Sequence, residues 1–304
     1  MRHFLDLLDV SADELNHLLA DAAVMKGAHK RGERQPFLAG RVLGLVFEKQ
    51  SLRTRVSFEA AMAQLGGSSI FLSANDGQLG KRESVPDFAR TLSQYVDAAA
   101  LRTYSHRTIE EFAAHASVPV INALSDAGHP CQVLGDLLTM QELFGSKLQG
   151  RTLVFVGDGN NVARSMAVGC AMLGVRFVLA APDGYRFDDG FVQTLQKRHP
   201  HSEVVQNGVP GHAVGSADVI YTDVWTSMGQ EAEHKERLKK FARFQVNAAL
   251  LAKTPAHARL MHCLPAHRGE EVSPDAIDGP RSVVFEQAGN RMHVQKALLK
   301  WLLS

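Results

Sequence analysis

The stretch RVLGLVFEKQSLRTR (Arg41–Arg55) decides the architecture. Arg41 to Phe47 is a short, nearly continuous apolar run, as expected of a strand buried on both faces of a parallel sheet. A polar turn follows, and Ser51 then opens a segment suited to a helix N-terminus. Strand, turn and helix in that order make one βα unit, and repeated units build a parallel sheet with helices on its faces.

The alternation continues outward. Phe58 to Leu65 reads as helix, Ser69 to Leu72 as strand, Val85 to Tyr95 as helix, Ala98 to Arg102 as strand, Ile109 to Ala116 as helix and Val118 to Asn122 as strand. Upstream, Ser11-Ala-Asp-Glu14 has the form of a capping box before a helix that places Leu15, Leu18 and Leu19 at helical spacing. His129 to Leu143 reads as one long helix. Further strands are expected at Thr152 to Val156, Arg176 to Ala180, Asp218 to Tyr221, Leu260 to His262 and Ser282 to Phe285, with a terminal helix from Arg291 to Leu303. This pattern predicts two α/β lobes, each a parallel sheet flanked by helices, packed across a cleft, with the boundary in the His129 to Leu143 helix. Ligands in such sheets sit beyond the carboxyl ends of the strands.

The chain of 304 residues is 45% hydrophobic and 21% charged, ordinary for a globular protein with room for two cores. Its 33 Lys and Arg nearly cancel its 32 Asp and Glu, so there is no global positive field for nucleic acid or an anionic membrane. Any anion site must be local. Cys131, Cys170 and Cys263 form an odd, widely spaced set without a CxxC pair, which argues against a disulfide framework and a tetrathiolate zinc site and fits reducing cytoplasm. The N-terminal region has acidic residues threaded through its apolar positions, unlike a signal peptide, and no stretch reads as membrane-spanning.

Five motifs fall at expected strand ends. Ser51-Leu-Arg-Thr-Arg55 joins hydroxyls and guanidiniums to a helix N-terminus, which makes a phosphate cradle or, more plainly, a polar cap with two solvated arginines. His129-Pro-Cys-Gln132 offers an imidazole to polarise a carbonyl and a carboxamide to hold an amide; a Pro-initiated helix is the bland alternative. Val156-Gly-Asp-Gly-Asn-Asn-Val162 resembles a dinucleotide fingerprint but has Val162 in place of the last glycine. Asp223-Val-Trp-Thr-Ser-Met-Gly229 suits an amino-acid clamp or a capped turn. His262-Cys-Leu-Pro265 offers a nucleophile, a metal ligand, a polar wall or an inert buried pair.

In this order, Ser51-Leu-Arg-Thr-Arg55, His129-Pro-Cys-Gln132, Asp223 through Ser227-Met-Gly229 and His262-Cys-Leu-Pro265 resemble the aspartate/ornithine carbamoyltransferase family almost end to end, the last two its ornithine branch. The resemblance implies residues 1–134 plus 287–304 as a carbamoyl-phosphate domain and 135–286 as an ornithine domain, joined by long interdomain helices with the active site in the cleft. It implies carbamoyl-phosphate contacts from Ser51, Leu52, Arg53, Thr54, Gln78, Arg102, His129, Gln132, Cys263, Leu264 and Arg291. Ornithine would be held by Asn161, Asp223, Ser227 and Met228. Arg102, His129 and Cys263 would be the catalytic groups. The resemblance also implies transfer of a carbamoyl group to the δ-amine of ornithine in arginine metabolism, no cofactor or metal, and a cytoplasmic homotrimer in which the Gln78 loop reaches a neighbouring site.

The sequence departs from the family pattern in four places. Leu52 stands where threonine is usual, Gln50 where proline is, Gly135 where alanine is, and Gly289 where an acidic residue is common. A non-threonine residue at Leu52 resembles relatives acting on N-acetyl- or N-succinylornithine, so that substrate stays open, as do a non-catalytic paralogue and, from Gly157-Asp-Gly159 alone, a nicotinamide-dependent oxidoreductase. Gly135, inside an expected helix, should weaken it by roughly 0.5–1 kcal/mol relative to alanine.

Overall fold

The computed structural model describes residues 1–77, 79, 82–227 and 231–304, for residues 77 and 231 the backbone alone. The chain divides into two compact units, Met1–Leu138 with Gly289–Ser304, and Thr139–Ala288.

The first unit is built on four parallel strands, β1 (Val42–Phe47), β2 (Ser68–Leu72), β3 (Ala98–Arg102) and β4 (Val120–Leu124), in the order β2-β1-β3-β4. Its helices include α1 (Ala12–Lys30), α2 (Leu52–Gln64), α3 (Val85–Leu92) and α4 (His106–His115); α5 (Pro130–Phe144) begins in it. The capping box at Ser11 and Glu14 is present, each side chain bonded to the other's backbone N–H. Phe88, Leu92, Leu101, Ile109 and Phe112 form part of the core on one face of this sheet.

The second unit carries five parallel strands, β5 (Thr152–Val156), β6 (Arg176–Ala180), β7 (Val204–Asn207), β8 (Val219–Thr222) and β9 (Arg259–His262), in the order β7-β6-β5-β8-β9. Helices α6 (Asn161–Met172), α7 (Asp189–Arg198) and α8 (His234–Phe241) belong to it, and α9 (Val284–Leu303) starts within it. Trp225, Phe241, Phe244, Ile220 and Val284 pack in one core, so Trp225 is an interior residue.

Both sheets change direction in the same way. The chain leaves β1 for β2 on one side and returns to β3 on the other; in the second sheet the reversal lies between β5 and β8. At such a switch point the connections leave in opposite directions and open a crevice beyond the strand ends.

Two expectations need correcting. Ser282 to Phe285 is not a strand: Ser282 makes a single bridge to Leu260, and Val284 already begins α9, so the terminal helix starts at Val284 rather than Arg291. A four-residue apolar run does not distinguish a strand from a helix turn by periodicity, and here Val284 enters the core while Phe285 points outward. Strand β7 and helix α7 are additions to the expected elements; Val204–Asn207 is partly exposed at the sheet edge and too polar to read as apolar strand.

Candidate functional site

At the switch point of the first sheet, the register places Arg102, the last residue of β3, beside Phe47, the last of β1. Just beyond β1, Ser51 caps α2: its hydroxyl accepts from the N–H of Thr54 at 3.3 Å and donates to Thr54 Oγ1 at 3.0 Å. Thr54 Oγ1 also accepts from Arg291 Nη2 at 2.8 Å, which ties the cap to α9. Leu52 is 75% exposed, so its side chain leaves the backbone N–H groups of the first turn open.

His129 opens α5 after β4 and is buried, as are Arg102, Arg291, Thr54 and Gln132. Burial, and then the guanidiniums of Arg291, Arg102 and Arg53, hold the His129 imidazole well below its usual pKa, so it is neutral near pH 7 and keeps one N–H to donate. Three guanidiniums around a helix N-terminus form a local positive site suited to a small, highly charged anion. Gln132 donates from Nε2 to Asp136 Oδ1 at 2.8 Å, which aims its carboxamide. Neighbouring Cys131 is different: burial pushes its thiol up to about 12 and its Sγ donates to Asn122 O, so it is an inert core residue.

The second sheet presents a complementary site in its own unit. Asp223 follows β8 and is buried; its carboxylate accepts from Asn160 Nδ2 at 2.8 Å, from the N–H of Val224 at 2.8 Å and from Cys263 Sγ at 2.9 Å. Cys263 follows β9, and Leu264 beside it has φ +56°. That left-handed conformation costs a non-glycine residue roughly 1–2 kcal/mol, so the surroundings must hold it. Asn160 also caps α6, its Oδ1 accepting from Val162 and Ala163 N–H at 3.0 Å. Those are the donors a dinucleotide phosphate would use, and they are spent internally. Gly159 lets the chain approach closely, because a Cβ there would lie 3.0 Å from Tyr185 O and push that backbone by a few tenths of an ångström. Asp158 pairs with Arg237 at 2.6 Å rather than reaching a ligand; burial raises its pKa.

The first unit therefore gathers Ser51, Arg53, Thr54, Arg102, His129, Gln132 and Arg291, and the second gathers Asp223, Cys263 and Leu264, with Asn161 and Ser227 at the adjoining loop ends. Gln78 and Met228 lie outside the described residues. The support that Asn160 gives Asp223 is a finding of the structure, although the Asn-Asn pair is plain in the sequence. Asp136, four residues after Gln132 on one helix face, is an i,i+4 partner whose only signal in the sequence is that spacing.

The family description "Aspartate/ornithine carbamoyltransferase, carbamoyl-P binding domain" matches residues 2–142, and "Aspartate/ornithine carbamoyltransferase, Asp/Orn binding domain" matches residues 149–302. The chain belongs to the aspartate/ornithine carbamoyltransferase family. Within it, the chain is 51% identical to the ornithine carbamoyltransferase of Bacillus subtilis, covering 99% of this chain and 94% of that protein. It is 48% identical to that of Methanoculleus marisnigri, covering 100% and 97%. The solved structure of ornithine carbamoyltransferase from Pyrococcus furiosus matches with a TM-score of 0.96 and 47% identity over 99% of this chain and 97% of that one. Among the described residues no helix is long and apolar enough to cross a membrane.

Proposed function

We propose that this chain is an ornithine carbamoyltransferase, moving the carbamoyl group of carbamoyl phosphate to the δ-amine of L-ornithine to give L-citrulline and phosphate. The observation that carries the substrate is the buried Asp223 carboxylate, held by Asn160, Val224 N–H and Cys263. It is the group a free α-ammonium requires and that an acylated nitrogen, neutral and with a single N–H, would leave badly matched. The ornithine carboxylate falls to Asn161, Ser227 and Met228.

Ser51, Arg53, Thr54 and Arg291, with the N–H of Leu52, hold the phosphate, and Gln78 adds to it from a neighbouring subunit. Arg102, neutral His129 and Thr54 polarise the carbamoyl oxygen, while Gln132 and the carbonyls of Cys263 and Leu264 orient the carbamoyl nitrogen. The neutral δ-amine attacks the carbamoyl carbon and an oxyanion develops where Arg102 and His129 donate. The bond from carbon to the phosphate oxygen then breaks, and phosphate leaves with a proton from the attacking nitrogen. No covalent enzyme intermediate and no cofactor enter this scheme, so Cys263 serves as a pocket wall beside the amine.

On this reading the protein acts in arginine metabolism in the cytoplasm as a homotrimer; a sedimentation mass of three 33.2 kDa chains checks the last. The deciding assay measures carbamoyl transfer to ornithine, N-acetylornithine, N-succinylornithine, putrescine and aspartate, with Arg53→Ala and Asp223→Ala alongside. Turnover of ornithine alone, lost in both variants, is expected. Preference for an acylated amine would overturn the substrate assignment.

A further inference from the structure

Segment 263–267 connects β9 to the rest of the second unit, and one buried carboxylate holds it at both ends. Glu271 is fully buried, and its Oε1 lies 3.2 Å from His262 Nε2 and accepts from the N–H of His267 at 2.6 Å. On its other side, His262 Nδ1 accepts from the N–H of Leu264 at 2.8 Å. That bond settles the tautomer: an Nδ1 that accepts carries no proton, so in the neutral ring the proton sits on Nε2 and is donated to Glu271. The backbone N–H of His262 is anchored separately by Gln287 Oε1 at 2.8 Å, and Gln287 Nε2 reaches Tyr221 Oη at 3.2 Å. Carboxylate, imidazole and Leu264 amide thus form one directed chain ending on the residue with φ +56°.

We infer that Glu271 is a positioning residue, acting through His262 to keep Leu264 left-handed and Cys263 aimed at Asp223. The Cys263 thiol donates to Asp223 Oδ1 at 2.9 Å, so an error in the Leu264 backbone passes directly to the carboxylate. The inference rests on the reading of Asp223 as the ornithine end of the site, with the Cys263 thiol beside the amine and the Cys263 and Leu264 carbonyls on the carbamoyl nitrogen. Glu271 touches no substrate. Its effect should fall chiefly on the amine and less on carbamoyl phosphate, whose phosphate contacts come from the first unit and which meets this segment only through its carbamoyl nitrogen.

Glu271→Ala and Glu271→Gln are compared for KM of each substrate, for thermal unfolding, and for the rate at which a thiol reagent modifies Cys263 in the ligand-free protein. Cys131 and Cys170, both 0% exposed, are internal silent controls. In Glu271→Ala, loss of a charge-assisted bond should raise the ornithine KM roughly tenfold and the Cys263 modification rate by a similar factor. The KM for carbamoyl phosphate, which loses at most the alignment of one carbamoyl N–H, should rise by a smaller factor, about two- to threefold. Glu271→Gln, which keeps an acceptor oxygen in place, should recover most of both effects. If Glu271→Ala does not fold, Glu271→Asp, charged but one methylene short, should show the same pattern in weaker form. Unchanged Cys263 reactivity, or a fall in kcat and Tm with both KM values intact, would overturn the inference. Because the thiol rate needs no turnover, it decides the matter even if ornithine proves not to be the substrate.

Discussion

Asn160 has two jobs that compete for one side chain: its oxygen caps α6 and its amide holds Asp223. Asn160→Asp keeps the cap and places a second carboxylate against Asp223, so ornithine affinity should fall while folding is retained; titration calorimetry with ornithine in the presence of phosphate reads this directly. Asn160→Ala should in addition lose roughly 1 kcal/mol of cap stability, visible in urea unfolding. His129 supplies a pH prediction at the same scale. With its pKa held well below 6.5 it does not titrate near neutrality, so kcat/KM should show no step at that pH. The rate should instead climb as the ornithine δ-ammonium, of pKa roughly 10, loses its proton. A pH profile from 6 to 10 that is flat, or that breaks near 6.5, would contradict the scheme.

Helices α5 and α9 each carry a glycine whose worth the sequence cannot rank. In α5, a Cβ on Gly135 would meet Arg291 Cγ at 3.2 Å and the Arg291 backbone at 3.4 Å, so this glycine lets the arginine-bearing helix come close. The intrinsic gain of roughly 0.5–1 kcal/mol for Gly135→Ala is therefore opposed by displacement of Arg291. The expected result is weaker phosphate binding with little or no rise in Tm. Gly289 in α9 faces open space: a Cβ there would meet nothing within 4 Å, so Gly289→Ala should stabilise by roughly 0.5–1 kcal/mol and leave both KM values alone. Differential scanning calorimetry of the two variants side by side separates the cases. Helix propensity captures what Gly135 costs α5 and is blind to the neighbour that the same glycine admits.

Across the molecule, acid should destabilise the fold by a route the sequence does not announce. His293 is buried beside Lys296, His29, Lys26 and Lys30, and burial followed by these charges lowers its pKa to about 3; its ring packs edge-on to His29 at 5.3 Å. His129 is depressed in the same direction. Between the folded value and the unfolded value of 6.5 the unfolded chain binds the extra proton, so stability is intact above about pH 6.5 and is lost as pH falls below it. Each such histidine contributes a slope of at most about 1.4 kcal/mol per pH unit. Unfolding by urea at pH 7.5 and 5 should show the drop, and His293→Gln should reduce it; an equal pH dependence in that variant would remove His293 from the account.

The sequence by itself determined the class of the fold and the chemistry at the strand ends. Buried parallel strands carry near-continuous apolar runs, as at 98–101 and 153–156, so short local windows suffice to find them. The motifs after β1, β4, β8 and β9 were legible because strand ends in a doubly wound sheet put ligand-binding side chains in short, compositionally distinct turns. Tertiary structure alone decided the strand order and the start of α9, since Val283-Val284-Phe285 is equally apolar as strand or helix. It alone decided which partner holds each functional group: Arg291 on Thr54, Asn160 on Asp223, Glu271 on His262. Those pairs lie 237, 63 and 9 residues apart. Hydrogen bonds at such separations depend on how chain crossings bring strand ends and helices together, and no local pattern of residue types encodes that geometry.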